Sequence, residues 1–311
     1  MRKYRVFALA SAIVGGFAFA DSVSAQPITV CGQSVASQGI LAADLDCSAT
    51  TDWAVRVARN GTLDLAGFTL SAGLPGGVLC EGPCTILGNG GRITGLGVSE
   101  PEAYCGVQTS RGPLAASDVT VDGFRLGVCD TVVGNYKRRG TLELTNATIT
   151  GNWAGVIGAR VYVIGGTFNE NEREGIRCQR LCDIRGATVN ENGGWGVTGY
   201  GGGRILITDS DVSFNGNYGI ENTKLLRLTN STVSWNWYLG ARALRIQATD
   251  SSIVDNFQAP ECGTSLVCAD VISRRRPRLT NSSCDRSAFE DGLNFVGFPS
   301  EWIPWDVCTL D

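Results

Sequence analysis

The chain has 311 residues, with 26 Lys+Arg against 30 Asp+Glu, no histidine, 41 glycines, 12 cysteines and one methionine. The acidic balance argues against nucleic acid as a partner, since that needs a basic face. The missing histidine excludes a Ser-His-Asp triad and all His-dependent acid–base chemistry. Abundant Gly, Thr, Asn and Val suit short strands and tight turns and are poor for helices.

The chain opens on Arg2, Lys3 and Arg5, then an apolar run from Val6 to Ala20, then the small residues Val23-Ser24-Ala25. This pattern predicts a signal peptide over residues 1–25 and a secreted or periplasmic mature chain starting at Gln26. Cleavage removes three bases and Asp21, so 26 less 3 and 30 less 1 leave a net charge of −6. No other stretch reaches the ~18 apolar residues of a membrane helix. All twelve cysteines follow the cleavage site, which predicts six disulfides formed in an oxidising compartment. Their order suggests local pairs: Cys31–Cys47, Cys80–Cys84, Cys105–Cys129, Cys178–Cys182, Cys262–Cys268 and Cys284–Cys308. Spacing alone does not prove this connectivity. Metal binding by these thiols is the weaker alternative, because no histidine is present and exported thiols oxidise.

Segment 26–58, with Cys31 and Cys47, reads as an N-terminal cap. Coils follow over 59–285, irregular at first, as in Leu63-Asp64-Leu65-Ala66-Gly67-Phe68 and Val119-Thr120-Val121-Asp122-Gly123-Phe124. From about residue 140 a pattern repeats: a small or polar residue, an apolar one, two variable ones, then Asn. The asparagines are Asn152, Asn171, Asn192, Asn215, Asn236 and Asn256, spaced 19, 21, 23, 21 and 20 residues apart. A Gly-apolar pair follows each of the first five, as in Gly155-Val156 and Gly175-Ile176. An alternating strand ending in a turn precedes three of them, as in Ile205-Leu206-Ile207-Thr208-Asp209-Ser210. Such a period marks a solenoid. The pattern predicts a single-stranded right-handed parallel β-helix, all-β and disulfide-stapled, with three short strands per coil and about nine coils. Equivalent asparagines would stack at one strand spacing, ~4.8 Å, as an internal amide ladder. Residues 286–311, with Trp302, Trp305 and Cys308, read as a C-terminal cap over the open end.

These repeats resemble those of the pectin-lyase-like superfamily of exported parallel β-helix proteins. The run Ile28-Thr29-Val30-Cys31-Gly32-Gln33 also resembles the opening of many of them. The resemblance covers most of residues 28–285. It implies the fold and a polysaccharide or cell-surface glycan as partner, but that superfamily holds lyases, glycosidases, epimerases, esterases and non-catalytic spikes. The Gly-His-Gly and Asp-Pro-His-Asp motifs of its pectin glycosidases and alginate epimerases cannot occur without histidine. Lyase chemistry based on Arg or Lys can.

Two sets of residues are not needed by the repeat. The position after each Gly-apolar pair should face outward, which places Arg177, Glu221 and Arg242 on one face as candidate catalytic groups, Arg177 and Glu221 roughly 10 Å apart at the strand spacing. Between ladder Asn and Gly lie Trp153, Trp195, Tyr218 and Trp237, candidate sugar-binding rings. Glu170, Glu172, Glu174 and Glu191 form an acidic surface nearby, and Asp209 fits a turn. No cofactor is implied, and a Ca²⁺ site lacks a loop motif. The two function classes are a polysaccharide lyase and a non-catalytic glycan-binding or surface protein.

Overall fold

The computed structural model describes residues 24–97, 105–110, 112–130, 140–199, 203–222, 224–256, 269–285, 287–289 and 308. Short strands alternate with turns and pair in parallel into three ladders, visited in the same order in each coil. The first ladder begins with Gln33–Val35, Val55–Val57 and Gly76–Cys80 and continues to Val271–Ser273. The second runs from Gln38–Leu41 through Gly61–Asp64 to Arg278–Thr280. The third runs from Leu45–Cys47 through Thr69–Ala72 to Ser283–Cys284. Strands Ala154–Ile164 and Ile176–Arg185 turn the corner between the first two ladders unbroken. There the third ladder narrows to single bridges, Thr148–Thr167, Thr167–Thr188 and Thr188–Asp211.

The molecule is therefore a parallel β-helix. From Gly76 to Cys284 its described strands close nine coils. Each contributes one fully buried residue to the inner side of the first ladder: Val78, Val107, Val128, Val156, Ile176, Val197, Ile220, Ala241 and Val271. Phe168 and Val189 fill the same core from the third ladder. The segment expected as an N-terminal cap is itself coil, since Gln26–Ile28 pairs with Gly39–Leu41 and Leu45–Cys47 with Leu70–Ala72. Of the expected C-terminal cap, residues 287–289 extend the first ladder and Cys308 is bonded to Cys284; the rest lies outside the described residues.

The asparagine ladder runs through the interior with every rung satisfied. Asn171, Asn192, Asn215 and Asn236 are at most 1% exposed. Each Oδ1 accepts from the backbone N–H and the Nδ2 of the preceding rung, as Asn192 does from Asn171 at 3.2 and 2.9 Å. Each Nδ2 also donates to a carbonyl of the preceding coil, Asn192 to Phe168 at 2.9 Å. Such a stack needs an acceptor with nothing left to donate at its far end. Asp270, fully buried, supplies it: Oδ1 takes Asn256 N and Nδ2 at 3.1 and 2.9 Å, and Oδ2 takes Asp285 N at 2.9 Å.

This ladder explains the glycine of the repeat. A Cβ on Gly219 would lie 2.5 Å from Asn236 Nδ2 and 2.8 Å from the Gly240 carbonyl, and on Gly175 2.7 Å from Asn192 Nδ2. The glycines leave room for the amides. Gly219→Ala is thus expected to lose about 2 kcal/mol, the cost of overpacking a rigid interior. Denaturant unfolding checks this, with Gly90→Ala, where the added Cβ meets only open space but φ is 84°, separating backbone strain from overpacking.

Among the described residues five disulfides are present: Cys31–Cys47, Cys80–Cys84, Cys105–Cys129, Cys178–Cys182 and Cys284–Cys308. Cys262 and Cys268 lie outside the described residues. Each of the two short loops lies within one coil. Cys80 ends a first-ladder strand and Cys84 begins the second-ladder strand of the same coil, so the bond pinches one corner. Asp209 is a turn residue at φ 51°, accepting from Asn230 Nδ2 at 2.6 Å.

Candidate functional site

Alternation along a strand sends the residue after each buried Val or Ile of the first ladder outward. The register sets Arg177 opposite Thr198, Thr198 opposite Glu221, and Glu221 opposite Arg242. These four occupy successive rungs, ~4.8 Å apart. Arg242 Nη1 donates to Glu221 Oε1 at 3.3 Å. Arg177, two rungs from Glu221, has its Nη1 3.6 Å from Glu174 Oε1. The side chains of Arg177, Glu221 and Arg242 are 24, 29 and 28% exposed, so they are fixed on the surface without being sealed in. The Arg242–Glu221 pair, at this exposure, adds only about 0–1 kcal/mol to stability. The effect of both ion pairs is to aim the guanidiniums.

The aromatic residues stand in the row beside this one. The backbone bonds Gly155 N to Glu174 O, Gly175 N to Trp195 O and Gly196 N to Tyr218 O place Ala154, Glu174, Trp195 and Tyr218 on consecutive coils. Leu239 follows Tyr218. Trp153 reaches the row through Arg173, whose guanidinium carbon lies 5.1 Å from the Trp153 ring and 5.8 Å from that of Trp195, a cation held between two π faces. Tyr238 packs edge-on against Tyr218 at 6.5 Å. Trp237 stands apart: its backbone N–H bonds Asn215 O, which puts it opposite Gly216 in a neighbouring corner row, and it is 43% exposed.

Two small clusters of buried apolar residues flank the polar row. On one side Trp53, Cys105, Leu126, Cys129 and Ala154 cluster with Trp153 and Ile157; on the other Leu239, Ala269 and Ile272 cluster with Tyr218 and Tyr238. Between them two polar atoms are buried and unpartnered, Glu174 Oε2 and Trp195 Nε1. One is an acceptor and the other a donor, on adjacent coils. Arg173 has no signal in the repeat, and Glu174, expected on an acidic surface, is instead buried at 5% exposure. Among the described residues no group of three or more His, Cys, Asp or Glu side chains could hold a metal ion.

One carboxyl elsewhere is strongly perturbed. Burial pushes Asp130 up to about 6, against the opposing hydrogen bond from Ala159 N–H at 2.7 Å. A folded value above the unfolded one favours the protonated native state. Its contribution is full below the ordinary carboxylate value of 3.8 and is lost as pH rises through about 6. The melting temperature of wild type relative to Asp130→Asn should therefore fall between pH 4 and 7; a flat or rising difference would contradict it.

No family model and no curated protein sequence matches the chain. Among solved structures it is similar to a periplasmic alginate epimerase, at 12% identity over 74% of this chain and 76% of that one, with a TM-score of 0.45. It is similar to a pectate lyase at 13% identity over 83% and 72%, TM-score 0.35. It is also similar to the A-module of an Azotobacter vinelandii mannuronan C-5 epimerase at 14% identity over 83% and 80%, TM-score 0.33. The likeness is one of coiled backbone.

Proposed function

We propose that the protein is an exported carbohydrate-active β-helix that binds an acidic polysaccharide on the outer face of its first ladder. The observation that carries this reading is the row Arg177–Thr198–Glu221–Arg242, with Trp195 and Tyr218 beside it. Two guanidiniums three rungs apart suit the carboxylates of a uronate chain, since planar donor pairs match carboxylates. The flat rings suit the apolar faces of its sugars. Five disulfides agree with maturation in an oxidising compartment. Among the described residues no helix is long and apolar enough to cross a membrane.

Turnover by β-elimination is the second reading, favoured by the placement of Glu221. A cation that holds a uronate carboxylate makes the adjacent C–H more acidic. In this reading Glu221, two rungs from Arg177 and beside Arg242, takes that proton, the C4–O bond breaks as the C4=C5 double bond forms, and the leaving oxygen takes a proton from water. Both readings predict retention of the protein on immobilised polyuronate. Ultraviolet absorbance of an unsaturated product separates them: a Glu221-dependent rise supports the lyase, and retention without product supports binding alone. Absence of retention on every uronate polymer would refute both.

A further inference from the structure

A second set of aromatic rings lies on a different edge of the solenoid, at the corner after the third ladder. In each regular coil the residue before the ladder asparagine takes a left-handed backbone. Gly151, Glu170, Glu191, Phe214, Trp235 and Asp255 have φ of 62, 54, 56, 56, 57 and 54°. Glycine fits there without strain, and short polar residues tolerate it; a bulky aromatic side chain is disfavoured. Two consecutive coils nevertheless carry Phe214 and Trp235. The core does not use them, since they are 55 and 45% exposed. Their rings are parallel within 8°, with centroids 6.2 Å apart. Strain spent on side chains left in solvent points to recognition.

The neighbours indicate the ligand. Backbone bonds from Glu191 N to Ser213 O and Phe214 N to Ser234 O, and the pairing of Ser234 with Val254, align Glu191, Phe214, Trp235 and Asp255 on successive coils. The ring pair is thus bracketed by two exposed carboxylates. Carboxylates accept hydrogen bonds from hydroxyls and repel other carboxylates. A polyuronate is therefore disfavoured at this edge, whereas a neutral sugar can stack on the rings and donate its hydroxyls to Glu191 and Asp255. We propose that Phe214 and Trp235 form a second glycan site, selective for neutral sugars and independent of the arginine face.

The test uses the full chain and a panel of neutral oligosaccharides (β-glucan, mannan, galactan and xylan oligomers) beside oligogalacturonate, read by titration calorimetry. The variant Phe214→Asn/Trp235→Asn places a residue tolerant of φ near +55° on both rungs, so it should fold with an equal or higher melting temperature. Wild type should bind at least one neutral oligomer, and the variant should bind it at least tenfold more weakly, with oligogalacturonate binding unchanged. Arg242→Ala should keep the neutral binding, so failure of the arginine face and failure of this site give different results. The proposal is overturned if wild type binds no neutral oligomer, if the double variant binds it equally well, or if the variant's melting temperature falls, which would make the rings structural.

Discussion

Replacing Asn192 by alanine should lower the unfolding free energy by about 4 kcal/mol, because each buried donor left without an acceptor costs about 1–3 kcal/mol. Two such donors are created at once, Asn171 N and Asn171 Nδ2, which both end on Asn192 Oδ1. The carbonyls of Phe168 and Asn190 also lose the amide that serves them at 2.9 and 3.1 Å. The site is 1% exposed, so water does not replace what is removed. In a solenoid each coil is held by its two neighbours. An interior rung therefore weakens two interfaces. Thr232→Ala, on an exposed outward position of the third ladder, is the matched control and should change stability by less than about 0.5 kcal/mol. Equilibrium denaturation measures both. A loss at Asn192 no larger than the control's would mean that the ladder is ornament to a core held by its apolar side chains.

Arg242→Ala should weaken polyuronate binding at least tenfold, since a hydrogen bond to a charged partner contributes ~1.5–3 kcal/mol and 1.4 kcal/mol is a factor of ten. The binding it retains should fade with added salt, as exposed charge pairs do. Arg242→Lys keeps the charge but loses the planar donor pair, so it should fall between wild type and alanine. Folding should be little changed, because Arg242 and Glu221 are each more than a quarter exposed. Arg177→Ala should weaken binding to a similar degree but also cost stability, because its partner Glu174 is only 6% exposed and would be left buried without a cation. Binding affinity and melting temperature together distinguish the two arginines. Equal affinity in wild type and Arg242→Ala would remove this face from consideration.

The fold was legible because its devices repeat. A buried asparagine every coil, the glycine that makes room for it, and the turn residues at the corners each recur often enough to be seen without coordinates. The outward register was legible for the same reason: once Ile176, Val197, Ile220 and Ala241 point inward, Arg177, Thr198, Glu221 and Arg242 must share a face. Features that occur once were not legible. Asp270 ends the amide ladder from a coil whose asparagine position it does not share, so no repeat announces it. The first coils looked like a cap because Gln33–Cys47 lacks the asparagine that marks the later ones, although its strands pair in the same ladders. The aromatic residues looked like one row because all fall between Asn and Gly. They stand at different steps after the asparagine, Trp195 and Tyr218 three residues on but Trp153 and Trp237 only one, and that difference sets Trp237 on a different row from Tyr218. Arg173 joins Trp153 to Trp195 through space, a relation with no counterpart in spacing.

Chemical footprinting of the arginines tests the arginine face most directly. The full chain is treated with an arginine-selective dicarbonyl reagent, with and without oligogalacturonate, and the modified peptides are quantified by mass spectrometry. Arg177 and Arg242 should be protected by the ligand, while Arg227 on the second ladder and Arg185, 63% exposed beside Asp183, react equally in both samples. Protection of all four, or of none, would contradict an acidic-glycan site on the outer face of the first ladder.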